Sequence, residues 1–157
     1  MTISFQHHPE LELNRIAYSG LLSIEEMLEH ATFRGAHLQW LNFDHINVVL
    51  PGTDTRHVTP AAMDDLFAKH QALFLTQTLL IRRRSAWVCQ SPAARGTLDY
   101  WLGDRTAKPR AMTDVRLFDT LDAAADWLLL RGREKALAVA GEGFEDIAHF
   151  CAPPLAA

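Results

Sequence analysis

Two short stretches at the start of the chain, residues 3–8 and 11–19, read as extended segments separated only by Pro9-Glu10. So tight a spacing predicts an antiparallel strand pair, which Gly20 ends. The period then changes. Ile24, Met27, Leu28 and Ala31 recur at i, i+3, i+4 and i+7, one stripe of an amphipathic helix that fades at Arg34-Gly35. Ser23-Ile24-Glu25-Glu26 in front of it is a capping box, with Leu22 and Met27 placed for a hydrophobic staple.

Ile46, Val48, Val49 and Leu50 form a β-rich run stopped by Pro51-Gly52, as expected of a central strand buried on both sides. Thr59-Pro60 then supplies an N-cap and a first-turn proline for a second helix carrying Met63, Leu66, Phe67 and His70. Residues 76–81 and 86–89 are both extended in character, and the core strand is placed at 86–89. Ser91-Pro92 repeats the cap-plus-proline start for a third helix to about Leu102. A polar loop with Pro109 fills residues 103–113. A short strand follows at 115–118, and Thr120 caps a fourth helix with Leu121, Ala124, Ala125, Leu128 and Leu129 on one side. Strands alternating with helices imply βαβ units with right-handed crossovers, hence an α/β fold with a mostly parallel sheet. Beyond Leu130, residues 134–140 read as helix, Gly141-Glu142-Gly143 interrupts, and 144–151 read as helix again, followed by an apolar tail with two prolines. The expectation is an α/β domain over residues 1–130 and a C-terminal helical extension over 131–157 that is not a domain of its own.

At 157 residues the chain has the usual length of one domain, able to bury a core without staples. A net charge of −4 gives no global field to hold a polyanion, so no nucleic-acid partner is expected. The run Arg82-Arg83-Arg84, with no aromatic platform beside it, reads as a solvated edge that blocks strand pairing. Cys89 and Cys151 are too few for a disulfide framework, and no apolar run approaches a membrane span, so a cytoplasmic protein with free thiols is expected. The eight histidines show no HxxxH or HExxH spacing, although His30 and His37 share a helix face; no metal or other cofactor is expected. There is no G-x-S-x-G elbow, and Cys89 on a buried strand is an inert thiol, so no enzyme is expected. Trp40, Trp87, Trp101 and Trp127 fall on apolar faces or at element ends, as core filler.

Four strings, residues 15–20 (RIAYSG), 39–44 (QWLNFD), 85–92 (SAWVCQSP) and 115–128 (VRLFDTLDAAADWL), resemble a family of small bacterial proteins with a SpoIIAA-like, or STAS-type, fold. The resemblance implies a mixed, mostly parallel sheet of four to five strands with helices packed against it, in a protein of regulation or small-ligand sensing rather than catalysis. Anti-sigma-factor antagonists of this fold carry a phosphorylatable Ser or Thr at the start of the helix after the central strand. Here that place reads His57-Val58-Thr59-Pro60-Ala61, and Thr59 stands where the acceptor would be.

In open sheets of this kind ligands sit beyond the carboxyl ends of the parallel strands, where helix N-termini point free N–H groups. The residues placed there are Thr55, Arg56, His57, Thr59, Ser91 and Arg95, the candidate ligand or phospho-acceptor site. Their plain structural reading is that Thr59, Ser91 and Thr120 are helix caps, each worth about 1 kcal/mol. The function expected is noncatalytic protein interaction, with another protein or its own copy, through the C-terminal helices and the loop edge. The alternative is a small-ligand or anion sensor using the crevice.

Overall fold

The computed structural model describes residues 2–74, 83–103 and 113–151. In chain order they form β1 (Ile3–His8), β2 (Leu13–Tyr18), α1 (Ile24–Ala36), a 3-10 turn (Leu38–Asn42), β3 (Asp44–Val49), α2 (Pro60–Phe74), β4 (Arg83–Cys89), α3 (Pro92–Leu102), β5 (Thr113–Phe118), α4 (Leu121–Trp127), α5 (Gly132–Ala140) and β6 (Glu145–Phe150). One mixed sheet runs β5-β4-β3-β2-β1-β6. β2 to β5 are parallel neighbours, and β1 is antiparallel to both β2 and β6.

Alternation along the strands divides the apolar residues between two faces. On the first, Ile3, Phe5, Ile16, Tyr18 and Val49 pack with Met63 of α2 and with Ala94 and Leu98 of α3, with Met27 and Phe33 of α1 against them. On the second, Leu13, Ile46, Val48, Ala86 and Val88 meet Ala124 and Ala125 of α4 and Ala138 of α5. The chain is therefore α/β, with helices on both faces of a largely parallel sheet. α1 begins as its sequence predicts: the Ser23 hydroxyl accepts from Glu26 N–H and the Glu26 carboxylate accepts from Ser23 N–H. The four tryptophans pack where they were placed, Trp87 stacked on Tyr18, Trp40 beside Phe5, Trp101 against Phe67 and Trp127 against Phe118.

The sheet has six strands, not four to five, because residues 145–150 are a strand and not the expected helix. The misreading has a physical cause. The β1–β6 register slips by one residue between Phe5 and Gln6, leaving Ile147 as an extra residue between Asp146 and Ala148. This bulge breaks the two-residue period and makes the string resemble a helical stripe. The open edge of β1 then selects the strand. Gly141 closes α5 with a left-handed backbone (φ 71°). A Cβ at Gly143, where φ is +79°, would lie 2.6 Å from His8 Nε2, so the turn into β6 needs glycine there. The C-terminal segment is thus used by the sheet itself: Ala138 and Phe150 are both buried.

Arg83 and Arg84 do not form a solvated edge. They lie in β4, an interior strand between β3 and β5, where Arg84 N–H donates to the Asp44 carboxylate and its guanidinium to the Trp127 carbonyl. The expected extended piece at 76–81, Arg82, most of the 103–113 loop and the tail beyond Cys151 lie outside the described residues. No helix among the described residues is long and apolar enough to cross a membrane.

Candidate functional site

The loop after β3 is tied down from beneath. Leu21 and Asp54 form a parallel bridge, in which Asp54 N–H donates to Gly20 O at 2.8 Å and Leu22 N–H to Asp54 O at 2.9 Å. Thr53 is fully buried; its hydroxyl lies 2.9 Å from Tyr18 O and 2.6 Å from Leu50 O, sharing one proton between the two carbonyls. Ser91 does not cap α3 with its side chain as expected. Its buried hydroxyl instead donates to Thr53 O at 2.6 Å, joining the start of α3 to the loop. Thr55 reaches the Thr97 hydroxyl of α3 at 2.7 Å. Buried polar groups are expected to be satisfied in this way.

The six predicted residues therefore divide into two sets. Thr55 and Ser91 are buried within the fold, whereas Arg56, His57, Thr59 and Arg95 are exposed. Thr59 is a cap as predicted, its hydroxyl accepting from Ala62 N–H at 3.2 Å, and Thr120 likewise accepts from Ala123 N–H at 3.1 Å. Arg56 is hydrogen-bonded to the Asp54 carboxylate. That bond holds the Asp54 carboxyl below its ordinary range and the guanidinium above its own. Arg95 binds Asp99 at 3.0 Å and approaches Asp119 at 3.7 Å, which raises its pKa, Asp99 contributing most. Each rim cation already has a carboxylate, so the rim presents ion pairs rather than an anion cradle. The Cys89 thiol, half-buried, donates to Ser91 O at 3.2 Å.

Behind the loop is an apolar cavity of about 40 Å³, lined among others by Tyr18, Met27, Met63, Trp87, Leu98 and Trp101. It has room for a few waters at most. Burial pushes the Tyr18 hydroxyl well above the ordinary phenol range.

A second cluster, at the opposite end of the same sheet face, was missed in the sequence. Cross-strand register puts His7, Asn14, His45 and Ser85 in one row over β1 to β4, all buried. Asn14 is the hub. Its amide oxygen lies 2.8 Å from His7 Nδ1, and its nitrogen donates to Trp40 O at 2.7 Å and sits 3.1 Å from His45 Nδ1. Asn47, one pleat further along β3, donates to Ser85 Oγ at 2.9 Å. Burial first, then the Arg34 charge, hold His45 well below the usual imidazole range. The available signal was polar residues at alternate positions of strands whose remaining residues are apolar. His30 is buried and His37 closes α1 with its ring nitrogen 2.9 Å from Phe33 O, so they do not converge. Among the described residues no group of three His, Cys, Asp or Glu side chains is placed to hold a metal. The comparisons with known proteins return no matching family model, no matching curated protein and no matching solved structure.

Proposed function

We propose that the chain is a noncatalytic binding domain of the STAS type that recognises a protein, a different chain or its own copy, through the rim formed by the loop after β3 and the first turns of α2 and α3. The observation that carries this reading is the way the loop is held. Thr53, Thr55 and Ser91 spend their hydroxyls on fixing it, and Arg56, His57 and Thr59 stand outward on a backbone that is already ordered. A preordered loop loses little conformational entropy on docking, which favours recognition. Leu21, 45% exposed at the foot of the loop, adds an apolar contact beside the charges. The same facts weigh against nucleophilic chemistry, because Thr53, Ser91 and the Cys89 thiol donate to main-chain carbonyls, Thr55 pairs with Thr97, and the Thr59 hydroxyl is engaged as the cap of α2. Small-ligand sensing has less support: the cavity volume falls far short of the roughly 300 Å³ typical of metabolite pockets. Because residues 132–150 are occupied within the fold, the proposed surface is the rim alone and not the C-terminal segment.

A photo-cross-linking amino acid at His57, with one at Arg133 on α5 as control, tests this in the intact chain. One discrete adduct is expected from position 57, reduced by Arg56→Glu and absent from position 133. No discrete adduct from 57, or the same adduct from both positions, contradicts the proposal.

A further inference from the structure

β6 gives one edge to β1 and is the last strand of the sheet. Along its outer side alternate N–H and C=O groups therefore face away from the sheet, where no strand among the described residues meets them. Lysine and proline, which often guard such an edge, are absent from residues 145–150. The bulge changes what lies beside the edge. Ile147 joins Ala148 on the face covered by α1, and both pack, half-buried, against the core of that face together with Phe33. The outer side of β6 and the flank of α1 thus bound a shallow apolar strip.

Charge says what fits the strip. Residues 2–36 and 141–151, which supply β1, β2, α1 and β6, carry eight carboxylates against two arginines, a balance of −6 in a chain whose total is −4. All of these carboxylates but Glu26 are exposed. Met27 faces α2, lining one cavity with Met63. Glu25 and Glu29 stand two residues to either side of it, hence on the opposite flank of α1, toward the β6 edge. Glu145 and Asp146 begin β6 itself. Elsewhere the carboxylates are paired, Asp54 with Arg56, Asp99 with Arg95, and Asp122 and Asp126 with Lys135. Along this edge the one ion-pair contact among the described residues is His149 Nε2 at 3.9 Å from Asp146. Residues 152–157 bring no charged side chain. Residues 75–82 and 104–112 lead into β4 and β5, which lie across β1, β2 and β3 from this edge.

We propose that the outer edge of β6, with the flank of α1 beside it, takes up an extended basic segment of another protein as an added strand. The backbone of that segment completes the hydrogen bonds of β6. Its apolar side chains settle on Ile147, Ala148 and Phe33. Lys or Arg at the alternate positions reaches Asp146, which shares the opposite face with Gln6. Cations toward its ends meet Glu145 and Glu29. A second copy of this chain fits poorly, because two such edges repel each other. The surface is separate from the rim and stands independently of the proposal made for it.

The test titrates the full chain with a capped synthetic peptide that alternates Lys and Val over the length of β6, followed by fluorescence anisotropy. Glu-Val and Lys-Gly peptides of equal length are the controls. Saturable binding of the Lys-Val peptide alone is expected, weakened by salt and accompanied by slower amide exchange in β6. Affinity falls roughly tenfold when Glu29→Lys and Glu145→Lys are combined. It is unchanged in Arg56→Glu, which separates this edge from the rim. If the double variant fails to fold, Glu29→Lys alone carries the test, with a loss of about threefold. No binding of the Lys-Val peptide, equal binding of the Lys-Gly peptide, or an affinity unchanged by the charge reversals overturns the proposal. So does a free chain that sediments as a dimer and becomes monomeric in Ile147→Lys, since a second copy then holds the edge.

Discussion

Removal of residues 131–157 is expected to abolish cooperative folding rather than to trim an appendage. β6 is hydrogen-bonded to β1 from Ile3 to His7, so its loss exposes the backbone edge of a strand whose Ile3 and Phe5 are fully buried. The truncation also strips Phe150 from one core and Ala138 from the other. Losing a buried phenylalanine alone costs about 3–5 kcal/mol. Together with an unpaired strand edge, that matches the whole stability of a typical domain, about 5–15 kcal/mol. Near-ultraviolet circular dichroism during heating checks this: the parent gives a sigmoidal transition and residues 1–130 give none. A truncated chain melting within a few degrees of the parent would show that the C-terminal segment is dispensable, contrary to the role β6 has here.

Asn14→Ala should produce the next largest loss, about 3 kcal/mol or more. Asn14 is fully buried, and its amide meets His7, the Trp40 carbonyl and His45 at once. Leaving one buried polar group unsatisfied costs about 1–3 kcal/mol, and a network hub strands several. The midpoint of urea unfolding measures the effect. A change under about 1 kcal/mol would mean that the row is hydrated and not a closed network.

The parts legible in the sequence were those with a local cause. The Ser23 box, Thr59 and Thr120 announce helix starts because the capping group and the N–H it accepts from lie within three residues of each other. The first strand pair is equally local, joined across so short a turn. What the sequence concealed is set by partners far along the chain. Residues 144–151 carry a helical spacing of apolar positions only because a bulge at Ile147 puts neighbours on one face, and the edge that makes them a strand belongs to residues 3–8. Arg83 and Arg84 look like solvent residues until β5 pairs beyond them. Ser91 occupies a cap position and still bonds elsewhere, to a carbonyl 38 residues away. Arg56, His57, Thr59 and Arg95 stand exposed together at the expected rim, yet which of the neighbouring hydroxyls face inward depends on Thr53 and Thr97, neighbours that only the folded chain supplies. Asn14, His45 and Ser85 meet through register alone.

The account rests on a rim loop that is ordered before any partner arrives. Amide hydrogen exchange of the free protein, resolved at Leu22, Asp54 and Val58, tests that directly. Their N–H groups donate to Asp54 O, Gly20 O and Thr55 O, so exchange as slow as in β3 is expected, with Asp54 faster in Ser91→Ala as the tie from α3 is cut. Exchange at the rate of an open coil at all three positions, unchanged in Ser91→Ala, would contradict it.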